Sequence, residues 1–111
     1  NKNLATMAIF KNKNLYDRSN IRLKNGNKIE YFRDTANEEL NFIDYGASYV
    51  SKSIFVDIKK NKKFELPELF EKISKKNMLS KYIVKKRFYE IGSYSGINDF
   101  KNYLKRYEIN W

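Results

Sequence analysis

Residues 81–96 read KYIVKKRFYEIGSYSG, and the prediction for the whole chain is built outward from them. Their apolar and aromatic residues predict a strand pair that ends in a turn at Gly92-Ser93, with a new helix beginning near Ser95. A single acid, Glu90, precedes that turn and has apolar neighbours on both sides. A carboxylate in such a place is costly to bury unless a cation pairs with it. Glu90 is therefore a candidate metal ligand, and a surface residue at a strand end is the alternative.

The composition limits the kind of protein and the chemistry. A length of 111 residues allows one modest domain, and 41% hydrophobic residues with 16% aromatic residues allow a packed core. The sequence has no cysteine and no histidine, which excludes disulfides, thiolate sites and histidine-based triads. A metal in this chain would therefore be a hard, oxygen-liganded ion such as Mg²⁺. No apolar run approaches the length of a membrane span.

The charge admits a second function class. With 23 Lys and Arg against 13 Asp and Glu, the formal net charge is +10. A basic face with interleaved aromatic side chains would suit a nucleic-acid-binding or interaction module without catalysis. However, the lysines occur in most segments rather than in one block, which is typical of a lysine-rich surface. Nucleic acid is therefore the alternative partner rather than the expected one.

The order of elements predicts a mixed α/β fold. An apolar run at residues 4–10 predicts a strand covered on both faces. Asn25-Gly26 predicts a type I′ hairpin between residues 19–24 and 28–32, because this dipeptide readily takes two positive φ values. Further segments predict a strand at 42–51, a short helix at 51–59, a helix opening with Pro67 and strand from 79 to 91. A final amphipathic helix follows, with Ser95 as its predicted N-cap. The face of that last helix carries Ile97, Phe100, Leu104 and Tyr107.

Three motifs, in this order along the chain, resemble one enzyme family. They are YDRSN at 16–20, FIDYG at 42–46 and RFYEIGS at 87–93, which Gly96 follows. Together they resemble the C-terminal part of sugar-1-phosphate nucleotidyltransferases, which join a nucleoside triphosphate to a sugar 1-phosphate and release pyrophosphate. The resemblance implies the C-terminal portion of a Rossmann-like three-layer α/β/α domain, with a mixed sheet and a β-hairpin. Residues 1–111 would then be the C-terminal half of that domain, without its nucleotide-binding N-terminal half.

The resemblance also assigns residues. The family holds the sugar with an Asn-any-Gly element, and Asp44, Tyr45 and Gly46 stand at that place. Asp in place of Asn removes two amide donors, so a different sugar could be preferred. Arg33 stands near the family's phosphate-binding Lys, with a solvated loop charge as the alternative. Glu90 stands where the family keeps a Mg²⁺-binding acid, usually Asp.

The resemblance implies partners as well. They are a sugar 1-phosphate, a nucleoside triphosphate and the N-terminal half of the same enzyme, in the cytoplasm and without a membrane. No Gly-rich G-x-G-T-R segment exists in the 111 residues, so no catalytic residue is assigned and the chain alone is expected to be inactive. Without that other half, the sheet should keep at least one long unpaired edge.

Overall fold

The computed structural model describes residues 3–107 and shows a mixed α/β fold with a five-stranded mixed sheet and two α-helices. Its strands are β1 (Ala5–Lys11), β2 (Ile21–Leu23), β3 (Ile29–Tyr31), β4 (Phe42–Val50) and β5 (Leu79–Val84). Its helices are α1 (Leu66–Lys75) and α2 (Tyr94–Arg106), with a 3₁₀ turn at Lys52–Phe55. Their order confirms the predicted mixed α/β class.

The sheet has the strand order β3-β2-β4-β1-β5. β1 lies between β4, with which it is antiparallel, and β5, with which it is parallel. The parallel pair is possible because α1 lies in the connection that returns the chain to the same end of the sheet. β1 is consequently an interior strand with a neighbour on each side.

The main core lies on one face of this sheet. Met7 and Ile9 of β1, Leu79 of β5 and the hairpin residues Ile21 and Ile29 are fully buried. Helix α1 adds its apolar face to the same cluster through Phe70 and Ile73. Pro67 lies in the first turn of α1, as predicted, because a proline there removes no helical hydrogen bond.

The β2–β3 hairpin folds across this core. It pairs with β4 only at Ile21 and Phe42, and its far end reaches β5 through a bridge between Lys28 and Ser80. The buried hydroxyl of Ser74 in α1 accepts a hydrogen bond of 3.1 Å from the N–H of Tyr31. The hairpin is therefore held from the helix as well as from the sheet.

The predicted hairpin is confirmed, but its predicted turn type is wrong. Lys24 N–H donates to the Lys28 carbonyl at 2.9 Å, which leaves a three-residue loop rather than the two residues of a type I′ turn. Only Gly26 in this loop has a positive φ, of 66°. The loop needs a single left-handed residue, and glycine supplies it without steric cost.

Two predictions about regular structure need correction. β5 ends at Val84 rather than continuing to Ile91, because its partner β1 ends at Lys11 and offers no further backbone groups to pair with. The predicted helix at 51–59 is only the 3₁₀ turn at Lys52–Phe55, in which Ile54 is buried.

The opposite face of the sheet is less covered, which corrects the expectation that β1 is buried on both faces. Thr6, Ala8 and Phe10 on this side are half-buried, whereas their neighbours in β1 toward the core are buried. Tyr49 and Tyr82 lie on the same face and are 85% and 68% exposed. A shallow groove runs between them over Ala8.

β4 has a long unpaired edge. Because β2 leaves it after Phe42, residues 43–50 have no strand partner on that side among the described residues. This agrees with the expectation of an unpaired edge. Within residues 3–107, no helix combines the length and the apolar character needed to cross a membrane.

Candidate functional site

A bulge in β4 places the DYG element. Met7 pairs with Ser48 and Ile9 pairs with Asp44, so three residues of β4 stand opposite Ala8 alone. Gly46 has a φ of 93°, a conformation that L side chains rarely adopt. The bulge bends β4 and changes the direction in which the side chains of residues 45–47 point.

Asp44 lies on the core side of the sheet, at the margin of the core. Its strand partner is Ile9, and paired residues project from the same face. Its carboxylate accepts a hydrogen bond of 2.8 Å from Gly46 N–H, and its own N–H donates to the side-chain oxygen of Asn20 at 3.0 Å. Burial raises the pKa of the Asp44 carboxyl above its ordinary value of 3.8, and the bond from Gly46 opposes that shift. Asp44 is thus a partly desolvated hydrogen-bond acceptor whose position is fixed by its bonds with Gly46 and Asn20.

Tyr45 points to the other face. It packs in an aromatic cluster with Phe10 and Phe88, and its ring centroid lies 6.4 Å and 6.2 Å from theirs. Tyr16 completes the cluster, 6.0 Å from Phe88. Of the predicted DYG element, Asp44 and Tyr45 therefore face opposite sides of the sheet, as successive strand residues do.

Arg33 lies on the same side as Asp44. Its guanidinium pairs with Glu65 at the start of α1, and its backbone N–H donates to the side-chain carboxylate of Glu71 at 3.0 Å. Burial, and after it the charge of Asp44, raises the pKa of the Tyr31 phenol, whereas Arg33 lowers it. Asp44 and Arg33 are thus both within electrostatic reach of Tyr31, on the core side.

Glu90 lies in the irregular segment between β5 and α2, near the aromatic cluster. Its carboxylate accepts a hydrogen bond of 2.9 Å from the hydroxyl of Ser93, which in turn accepts 3.1 Å from Gly96 N–H. Ser93 is consequently the N-cap of α2, and the predicted cap at Ser95 is wrong by two residues. A Cβ at Gly96 would overlap with the carbonyl oxygen of Glu90, which explains a glycine inside the first turn of the helix.

A small cleft of about 110 Å³ opens beside Glu90. Asp99 of α2 lines it too, together with Arg87, whose guanidinium lies 3.8 Å from the Asp99 carboxylate. Arg87 also lies over the rings of Tyr16 and Tyr89, 3.7 Å and 4.1 Å from their centroids. No residue of α2 is itself buried. The contacts of Arg87 therefore help to attach α2 to the rest of the fold.

The residues around Glu90 are compatible with Mg²⁺. The cleft presents the carboxylates of Glu90 and Asp99 and the hydroxyl of Ser95. The guanidinium of Arg87 also lines it and pairs with Asp99, so Glu90 is the acid of this cleft without a cationic partner among the described residues. The described residues contain no group of three or more acidic side chains that could hold a metal unaided. Mg²⁺ is commonly bound by one or two carboxylates plus substrate phosphates, so this donor set fits it.

The structure therefore brings Asp44 and Arg33 to the core side of the sheet and puts Glu90 beside Tyr16, next to the opposite-face cluster. Sequence reasoning missed the roles of Asn20, which bonds Asp44, and of Tyr31, which lines the same cleft as Asn20 and Arg33. Asn20 belonged to a quoted motif, but its contact with Asp44 spans 24 residues and gives no local signal.

No protein-family model and no curated protein matches the chain. The resemblance to nucleotidyltransferases accordingly rests on the three sequence motifs.

Proposed function

We propose that the chain forms the sugar-phosphate side of a nucleotidyltransferase that makes a nucleotide-sugar and pyrophosphate. The observation that carries the proposal is the β4 bulge. It places Asp44, a partly desolvated acceptor, on the same side of the sheet as the cationic Arg33. A sugar 1-phosphate needs an acceptor for its hydroxyls and a cation for its phosphate, and Arg can bind phosphate through two parallel hydrogen bonds.

The reaction suits a chain without cysteine or histidine. Nucleotidyl transfer to a phosphate oxygen needs no covalent intermediate, and it depends on positioning and on charge neutralisation. Asp44 would orient the sugar and Arg33 would hold its phosphate. Glu90 lies beside the opposite-face cluster, so Mg²⁺ held there would supply charge neutralisation at the reacting phosphates only if the bound substrates extend from Asp44 and Arg33 to that cluster.

The proposed partner is the nucleotide-binding half of the same domain. The unpaired edge of β4 and the open face with Tyr49 and Tyr82 are surfaces that such a half could cover. Added strands would continue the sheet along β4, and helices over the open face would make the three-layer Rossmann-like arrangement. This partner would also supply the Gly-rich loop that binds a triphosphate.

One observation favours the second candidate, a nucleic-acid-binding module. Tyr49 and Tyr82 are exposed aromatic side chains on one sheet face of a chain with a net charge of +10. Bases stack on such side chains in sheets that bind single strands. Ala substitution of both tyrosines would then abolish RNA binding, and it would leave binding of sugar 1-phosphate unchanged.

Steady-state kinetics of a complete enzyme containing this chain test the proposed function. Asp44→Ala should raise KM for the sugar 1-phosphate about tenfold and leave KM for the nucleotide unchanged, as expected for one lost hydrogen bond to a charged group. Glu90→Gln keeps the shape and removes the charge, so it should lower kcat and raise the Mg²⁺ requirement. Asp34→Ala, in the neighbouring loop, is the control. A changed nucleotide KM with normal sugar-phosphate kinetics would contradict the assignment of Asp44.

A further inference from the structure

A second cleft, of about 450 Å³, lies between the hairpin and the start of α1. Arg18 lines it from the loop before β2, Arg33 lines it from the end of β3, and Glu65 lines it from the residue before α1. Asn20, which accepts the hydrogen bond from Asp44 N–H, and Tyr31 border the same space. The cleft is therefore adjacent to the bulge that holds Asp44.

Of the two cationic side chains that line this cleft, Arg18 makes the weaker contact with an acceptor group. Its guanidinium donates to the carbonyl of Thr35 at 3.5 Å, and no carboxylate of the described residues lies within 4.0 Å of it. Arg33, by contrast, is paired with Glu65, whose side chain is 67% exposed. An exposed ion pair of this kind contributes little to stability, so another anion can compete for Arg33 at small cost.

The start of α1 adds a weaker positive field. Among its first three residues, Pro67 has no N–H and the N–H of Glu68 donates to the carbonyl of Glu65 at 3.1 Å, so the field at this end comes from the peptide dipoles. Aligned peptide dipoles give this end a partial positive charge that favours anions. Two guanidinium groups and one helix end thus surround a cleft in which Glu65 is the only carboxylate among the described residues that line it.

We infer that this cleft binds a phosphate dianion, with Arg18 and Arg33 as its two donors and Glu65 as a competitor for Arg33. In the proposed function this dianion is the phosphate of the sugar 1-phosphate, so the source of the phosphate rests on that proposal. Arg18 is the new element, because the sequence patterns assigned the phosphate to Arg33 alone. Arg can bind two phosphate oxygens at once, and two such groups would fix the orientation of the phosphate.

The test is titration of the 111-residue chain and its variants with inorganic phosphate and, separately, with glucose 1-phosphate, followed by backbone amide shifts. Arg18→Gln should weaken phosphate binding about tenfold, corresponding to one charge-assisted hydrogen bond. Glu65→Gln should strengthen it, because removing the carboxylate frees Arg33. Arg106→Gln on α2 changes the net charge by the same amount as Arg18→Gln, and it should leave the affinity unchanged.

The two ligands separate the two proposals. If inorganic phosphate binds with the expected dependence on Arg18 and Glu65 but glucose 1-phosphate adds no shifts near Asp44, the phosphate site stands and the sugar assignment is weakened. If sugar-phosphate binding depends on Asp44 but not on Arg18, the inference is wrong and the proposed function stands. Equal weakening by Arg18→Gln and Arg106→Gln would show only a general charge effect and would overturn the inference.

Discussion

The two faces of the sheet differ in how they are held together. On the core side, Met7, Ile9 and Leu79 are fully buried beneath α1 and the hairpin. On the opposite side, aromatic rings and the guanidinium of Arg87 hold the segment before α2, and α2 has no buried residue. Apolar burial gives most of the stability of a domain, whereas an exposed cation–π contact contributes about 0.5–1 kcal/mol. The core side therefore carries the stability, and the other side keeps surface that a partner can cover.

The largest difference between the faces should appear when an isoleucine is shortened on each. Ile9→Ala removes fully buried side-chain carbons from the interior strand β1 and should lower the free energy of unfolding by about 2–5 kcal/mol. Ile97→Ala on α2, where the side chain is 38% exposed, should cost less than about 1 kcal/mol. Urea unfolding of both variants measures the two values. Similar losses would mean that α2 packs as tightly as the core.

A smaller effect is expected at the start of α2. Ser93→Ala removes the N-cap hydrogen bond to Gly96 and the bond to Glu90, and should cost about 1 kcal/mol. Ser95→Ala, at the cap position that the sequence had suggested, is the matched control and should cost less than about 0.5 kcal/mol. Amide exchange in α2 reports both. A larger loss for Ser95→Ala would move the helix start back to the predicted position.

The fold also shows which elements the sequence could predict and which it could not. β1, the hairpin, β4, α1 and α2 follow from local hydrophobic periods and from local markers such as Pro67. The end of β5, the β4 bulge and the bond from Tyr31 to Ser74 depend on partners distant in sequence, which no local pattern records. The same limit applied to the site. The resemblance named Asp44, Arg33 and Glu90, but the bond from Asp44 to Asn20 and the separate positions of Arg33 and Glu90 required the fold.

The smallest predicted effect is a pH dependence of the free energy of unfolding that comes from Asp44. Because burial raises the pKa of Asp44 in the folded state, the folded protein holds that proton more tightly than the unfolded chain does. Asp44 therefore contributes nothing below pH 3.8, and its destabilising contribution grows as the pH rises through the raised folded value. Asp44→Asn can keep the bond from Gly46 N–H and removes the charge, so its stability relative to the natural sequence should increase with pH over this window. Urea unfolding of both proteins between pH 3.5 and 7 measures the difference. A constant difference would indicate that the Asp44 carboxylate is fully solvated.

The central claim is that a sugar 1-phosphate binds beside Asp44 and Arg33 on the core side of the sheet. Its most direct test is an amide-shift titration of the chain with a hexose 1-phosphate. We predict saturable shifts at Asp44, Gly46 and Arg33, and no saturable shift at Tyr49 or Tyr82 on the open face. Shifts confined to those two tyrosines, or none at Asp44 and Arg33 at millimolar ligand, would contradict the account.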